Sequence, residues 1–311
     1  MNPAYSVIFF TVSSGAGYGL LALLGLVGNA HGKASTPAFA YTSLAIALAL
    51  ITAGLLSSTA HLGRPERAWR AFSQWRSSWL SREGVAAVAT YPIALAYGTV
   101  WSGFIDAPQW ISPLGLLTTL TSAITVFCTA MIYRSLKTIP AWNNRFTVPS
   151  YLVFGLATGS GLLNAISFIF DRFQTDAGKF MALLALILTF SVIALKWLYW
   201  RWLRKRSAQY TMGQATGLGD GVRQWEVPHT ATNFIMKEMG HAVARRHARR
   251  LQLLCMLLLD IAFLATLFAP PHPAMVFVTT VFLALAAWVE RWLFFAQAEH
   301  VASLFYGKEK I

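Results

Sequence analysis

Charge is scarce in this sequence. Only 12% of its 311 residues are Asp, Glu, Lys or Arg, about half the share an average soluble domain carries. Acidic residues are the scarcer sign, 12 against 25 basic. That shortage is incompatible with a soluble enzyme and points to lipid as the solvent. Cysteine is nearly absent as well. Cys128 and Cys255 stand alone inside apolar runs, so no CxxC or Cys/His spacing suggests an iron–sulfur, zinc or c-type haem site, and both thiols read as packing. Paired intramembrane histidines for b-type haem are missing too, and no haem is expected: His31, His229, His241, His247, His272 and His300 all read as loop or near-C-terminal residues. The first apolar run has no basic segment before it and no convincing cleavage site after it, so it reads as a retained helix and not a signal peptide. No internal repeat is visible, and residues 1–311 read as a single membrane domain.

What the sequence does have is apolar length, with 56% hydrophobic residues. A bilayer core of roughly 30 Å needs about 20 apolar residues of helix. Eight stretches meet that need, at roughly 6–28, 38–59, 84–105, 113–133, 150–170, 179–200, 251–269 and 274–296. Segments such as ALLALILTFSVIALKWLYW (182–200) are apolar all round, as lipid-facing or bundle-core helices are. The expected fold is an all-α integral membrane protein, a bundle of eight transmembrane helices.

The basic residues set the expected orientation. With eight spans, both termini and the second, fourth and sixth loops share one side, which holds about 21 of the 25 Lys and Arg. The opposite loops hold Lys33, Arg172 and Lys179, and Lys196 sits near the end of span six. By the positive-inside rule, both termini and the large loops lie in the cytoplasm. Of these, residues 201–250 form a basic cytoplasmic loop that starts RWLRKR and ends in MKEMGHAVARRHARRLQ, a helical-looking stretch running into span seven. Such charge suits anionic lipid headgroups, at roughly 1 kcal/mol per residue, or a docking cytoplasmic subunit. No nucleic-acid reading motif accompanies it, and no nucleic-acid partner is expected.

The segment richest in chemistry is STAHLGRPERAWRAFSQWRSSWLSREG (58–84). His61 follows an apolar span without a gap and so lies at the membrane edge. Gly63 allows an unusual turn or close backbone approach, and Pro65 constrains the backbone after it. Trp69, Trp75 and Trp79 suit a helix lying in the interface. Ser81 is the expected N-cap of span three, with Glu83 in its first turn. An acid there can be explained by the helix dipole alone. Beside a His and arginines, at the edge of an apolar span, it is also poised to exchange protons. A flat ring with two oxygens that gain and lose protons, a quinone, fits such a setting. With no redox centre expected in this chain, the electron carrier would belong to another subunit.

Two further places stand out. Tyr133-Arg134 closes span four, with Arg134 either a snorkelling anchor or a contact to a quinone or a partner subunit. Glu290-Arg291 lies inside span eight, and an ion pair across the bundle or a proton path would account for it. Adjacent residues do not face each other on a helix, so Glu290 is expected to pair with another span. Asp260 in span seven raises the same question.

At HLGRPERAW (61–69), WLSRE (79–83), MIYRSLKTIPAW (131–142) and VERWLFF (289–295) the sequence resembles the membrane anchor subunits of the dimethyl sulfoxide reductase family, relatives of the polysulfide reductase membrane subunit. The resemblance implies eight helices that anchor a molybdopterin catalytic subunit and an iron–sulfur subunit with several 4Fe–4S clusters, in the bacterial inner membrane. It also implies electron exchange with ubiquinone or menaquinone, the molybdopterin and clusters staying in the partners. Carried over by position, quinol binding falls to His61, Gly63, Arg67, Trp69 and Glu83, with His61 and Glu83 in the chemistry. Arg64 of the same block and Tyr133 join them as candidate contacts. The long basic loop and cytoplasmic termini look more like the membrane subunit of a cytoplasm-facing sulfite dehydrogenase. A terminal reductase anchor using quinol and a membrane transporter are the alternatives, and nothing in the sequence sets the direction of electron flow.

Overall fold

Eight helices among the described residues are long and apolar enough to cross a membrane. They are α1 (Tyr5–His31), α2 (Pro37–Thr59), α3 (Trp79–Trp101), α4 (Ile111–Arg134), α5 (Thr147–Ile169) and α6 (Asp176–Lys205), then, beyond the short α7 (Met212–Thr216), α8 (Val243–Phe268) and α9 (Met275–Ala296). The structure, a computed structural model, describes residues 4–34, 36–59, 64–205, 210–219, 221–222, 225–226, 243–270 and 272–306. Strands play no part in the fold of these residues. The protein is an all-α multi-pass membrane bundle, as its composition implies.

Two helices form its axis. The apolar windows of α1 and α5 are 78% and 67% buried, whereas those of α6 and α8 are 33% buried. Around the axis, α1 packs on α2, α4 and α5, α3 packs on α4, and α9 joins α5 to α8. Glycine permits the central contact. A Cβ on Gly19 would overlap the carbonyl of Gly155, one on Gly159 would overlap the backbone of Gly19 and Leu20, and one on Gly25 would overlap the carbonyl of Gly115. Where lipid offers no hydrophobic drive, such backbone approach is what gives two helices dispersion energy. Leu183, Ile187 and Phe190 on α6, with Leu253, Leu257 and Leu264 on α8, stay exposed on the outside, as lipid-facing stripes do.

Several helix ends differ from the sequence reading. α3 begins at Trp79, not near 84. Ser81 is therefore not the N-cap; Ser78 holds that position, with no side-chain cap bond, and no acid lies in the first turn. The reason is local: no residue between Trp79 and Gly84 breaks a helix, and the Ser81 hydroxyl donates to the Ala71 carbonyl instead of to its own helix. The loop 201–250 is also shorter than expected, because α6 runs on to Lys205 and α8 starts at Val243. Charged residues end an apolar run without ending a helix. For the same reason His31 closes α1, where a loop was expected, and His247 lies within α8, in the stretch that already looked helical.

Candidate functional site

Residues 65–74 form a 3₁₀-helix at the membrane edge, packed against the first turns of α3. Of four consecutive residues, 81 to 84, three fasten the two together and leave the other pointing inward. Ser81 donates to Ala71. Arg82 donates to the carbonyls of Trp75 and Arg76 at 3.0 and 2.6 Å, and its guanidinium lies 4.3 Å from the Trp79 ring centre. Gly84 makes room for the Phe72 ring, which a Cβ there would meet at 3.1 Å. Successive helical residues are about 100° apart, so with Ser81, Arg82 and Gly84 turned to the interfacial segment, Glu83 faces the bundle. It is 4% exposed.

The partner of Glu83 is Thr129 of α4, whose hydroxyl donates to its Oε1. Sequence reasoning set a histidine and arginines beside Glu83 and missed Thr129. A signal was present. Thr118, Ser122, Thr125 and Thr129 recur at four- and three-residue spacing, which is one helix face, and all four are buried. That face meets Thr90 of α3, whose hydroxyl lies 3.5 Å from that of Thr125.

The other sequence candidates are dispersed. His61 and Gly63 lie outside the described residues. Arg64, Arg67 and Trp69 are exposed on or beside the interfacial helix, Trp69 at 65%. Tyr133 sits one turn beyond Thr129 on α4, buried in an aromatic box. It stacks on Tyr151 at 5.7 Å between centroids and meets Trp142, Phe294 and Phe295 edge-on. Trp142 anchors that box by donating to the Phe294 carbonyl at 2.8 Å. Arg134 is exposed at the end of α4, and Asp260 is exposed on α8, three residues from Leu257 and four from Leu264 on the outward stripe.

Deeper in the same half of the bundle is an ionic cluster. Glu290 pairs across the bundle, as expected, with Lys196 of α6, Nζ to Oε1 at 2.6 Å. It also pairs with its neighbour: Arg291 Nε lies 2.6 Å from Oε2, so the expectation that adjacent residues would not meet is corrected. The long guanidinium curls back toward the carboxylate because its outward path is closed by rings, lying 3.8 Å from the Tyr151 centroid and 5.1 Å from that of Phe294. Lys196 lies 4.2 Å from the Tyr199 centroid. Both terminal nitrogens of Arg291 lack a hydrogen-bond partner among the described residues. Arg291 borders a cavity of about 20 Å³ lined also by Thr11, Ser14, Thr129, Tyr151 and Thr158, room for one water. Polar groups thus run from Glu83 through Thr129 and this cavity to Arg291, Glu290 and Lys196. Among the described residues no three His, Cys, Asp or Glu side chains gather as metal ligands would.

The family model for the DMSO reductase anchor subunit matches residues 1–307. The sequence is 32% identical over 339 aligned positions to the C subunit of the sulfite dehydrogenase of Allochromatium vinosum, covering 98% of this protein and 99% of that one. It is 30% identical to the anaerobic dimethyl sulfoxide reductase chain YnfH of Escherichia coli over 47% of this protein and 52% of the relative. The C chain of the anaerobic dimethyl sulfoxide reductase of Haemophilus influenzae is 28% identical over 51% and 57% respectively.

Proposed function

The protein belongs to the DMSO reductase anchor subunit family, and from that premise we propose that it is the quinone-reactive anchor of a three-subunit molybdoenzyme of the bacterial inner membrane. It passes electrons between an iron–sulfur subunit and the quinone pool, and its catalytic partner oxidises sulfite. The observation that carries the quinone reading is the buried carboxyl of Glu83, held by Thr129 beneath the interfacial 3₁₀-helix. The sulfite reading rests on coverage: the sulfite dehydrogenase subunit aligns over nearly its whole length, the two reductase relatives over about half.

The residues suit a quinone headgroup. A carboxyl and hydroxyls offer hydrogen bonds and a proton site, while the Trp79 and Phe127 rings, edge-on at 5.8 Å, and Phe72 offer flat apolar walls. A bound quinone supplies two-electron, two-proton redox chemistry. Glu83 exchanges the protons at its Oε atoms, and Thr129 orients that carboxyl. Arg82 and Ser81 hold the interfacial helix that covers it. Because quinone reduction takes up protons, Glu83 is resupplied with them along the polar groups that run from the Arg291–Glu290–Lys196 cluster through the small cavity and Thr129. The iron–sulfur subunit docks on the basic face formed by 64–83, 134–149 and the cytoplasmic ends of α6 and α8, where Arg70, Arg76, Arg145, Arg204 and Arg249 are exposed. That face and both termini lie in the cytoplasm.

Glu83→Gln keeps the shape and a hydrogen bond to Thr129 but cannot ionise. In the purified three-subunit complex it should lower quinone-linked turnover by about 10²-fold or more, while activity of the soluble subunits with an artificial dye stays at the wild-type level. Equal loss of both activities would make Glu83 a structural residue and remove the basis of the quinone reading.

A further inference from the structure

The face opposite the interfacial 3₁₀-helix carries few charges, and most of its cations meet in one place. Of the three basic residues on that side, Lys33, Arg172 and Lys179, two line a single cavity of about 270 Å³, together with the imidazole of His31. No Asp or Glu lines it. The positive-inside rule disfavours cations on this side, so their gathering around one cavity is a concentration that topology alone does not produce.

The cavity is built, not incidental. Arg172 is held in place by a turn in which Asp171 takes φ 53, the only positive φ of a non-glycine residue among the described residues, a conformation that costs energy outside glycine. The backbone N–H of Arg172 donates to the Ser167 carbonyl at 2.6 Å. A Cβ on Gly178 would overlap the carbonyls of Arg172 and Phe173, so the turn sits directly on the first turn of α6. The guanidinium of Arg172 is half-buried and joined to no acceptor among the described residues. Lys33, also in the lining, is by contrast held at 2.5 Å by Asp106, which is not part of it. The first turn of the 30-residue α6 borders the cavity through Ala177 and Gly178, its acid Asp176 lying outside the lining. The rest of the lining is largely apolar and includes Phe39, Trp101 and Met181. The cavity therefore combines cations that suit an anion with tetrahedral oxygens and apolar side chains that suit a hydrocarbon tail.

We propose that this cavity binds one anionic phospholipid from the leaflet on that side, its phosphate on Arg172 and His31 and its acyl tail along Phe39, Trp101 and Met181. A free phosphate shares the headgroup chemistry but leaves the apolar side chains uncovered. This proposal is independent of the quinone reading, since it concerns the opposite end of the bundle.

The test is native mass spectrometry of the full-length protein, with whatever subunits accompany it, released from mild detergent supplemented with equal phosphatidylglycerol and phosphatidylethanolamine. The wild type should retain one phosphatidylglycerol in preference to phosphatidylethanolamine. Arg172→Gln and His31→Gln should each retain it roughly tenfold less, the effect of losing one charge-assisted hydrogen bond. Lys179→Gln removes a cation from the same face but not from the lining, and it should retain the lipid as the wild type does. If Arg172→Gln does not fold, His31→Gln, at an exposed helix end, carries the comparison. Equal retention of both lipids, or wild-type retention by both cavity variants, would overturn the proposal. In delipidated protein, phosphatidylglycerol should raise the melting midpoint and inorganic phosphate should not; an equal rise with phosphate would make the occupant a soluble anion and reject the lipid.

Discussion

Neutralising Glu290 should destabilise this protein far more than neutralising Lys196, although the two share one ion pair. The wild-type cluster sets one carboxylate between two cations, with contacts of 2.6 Å on each side, and none of the three side chains is more than 4% exposed. Charge centres about 4 Å apart attract by about 4 kcal/mol at an effective dielectric of about 20. Lys196→Met removes one attraction together with the cost of burying the ammonium, and it leaves a neutral Glu290–Arg291 pair; the net loss should be about 1 kcal/mol or less. Glu290→Gln removes both attractions and leaves two like charges facing each other without water, which should cost about 3–5 kcal/mol. The assay is thermal unfolding in mild detergent, followed with a thiol-reactive dye. Cys128 and Cys255 are 5% and 0% exposed, so the dye reports loss of the bundle. Glu290→Gln should lower the midpoint on the order of 10 °C, and Lys196→Met by much less. If Lys196→Met is as damaging as Glu290→Gln, the charge accounting is wrong, and Lys196 matters through packing against Tyr199 and Trp200.

Thr129→Val should leave the Glu83 carboxyl without its hydroxyl, costing about 1–3 kcal/mol and lowering quinone-linked but not dye-linked turnover; Thr129→Ser should restore both the stability and the rate. Along α1 the glycines should differ sharply. Gly19→Val drives a side chain into the Gly155 backbone and should abolish the monodisperse folded fraction in size-exclusion chromatography, whereas Gly15→Ala, with nothing within 4 Å of its Cβ, should be neutral or stabilising by about 0.5–1 kcal/mol. The exposed Lys33–Asp106 pair gives a pH signature. Lys33 holds the Asp106 carboxyl below its ordinary range, so its contribution is present above that range and lost as pH falls through the folded value. Asp106→Asn should therefore lower the melting midpoint slightly at neutral pH, less in high salt, and not at all in strong acid.

The candidate site was legible in part. Glu83 stood out because an acid at the edge of an apolar span is costly, and the expectation that Glu290 pairs across the bundle rests on the same expense. Their partners did not stand out. Threonine within an apolar helix usually bonds its own carbonyl four residues back, as Thr129 does to Thr125 at 3.1 Å, so nothing in its type announces a second role. Lys196 lies 94 residues from Glu290, and its position near the end of span six read equally well as an interfacial cation.

The run of apolar stretches along the sequence determined that this is a membrane protein with eight spans, because a helix that crosses a bilayer needs about 20 apolar residues. It could not set where those helices end. Hydropathy records the thickness of the lipid, whereas a helix continues until its hydrogen bonds or packing stop, and so α3 takes in Trp79 to Glu83 and α6 runs on through Arg204 and Lys205. Only the tertiary structure decided which polar groups meet. The approach of α1 to α5 across facing glycines and the packing of α3 on α4 bring together groups far apart in sequence: Glu83 with Thr129, Glu290 with Lys196, and Arg172 with His31 at the opposite end. Inside the bundle, away from water, Glu83 and Glu290 have only such partners to turn to.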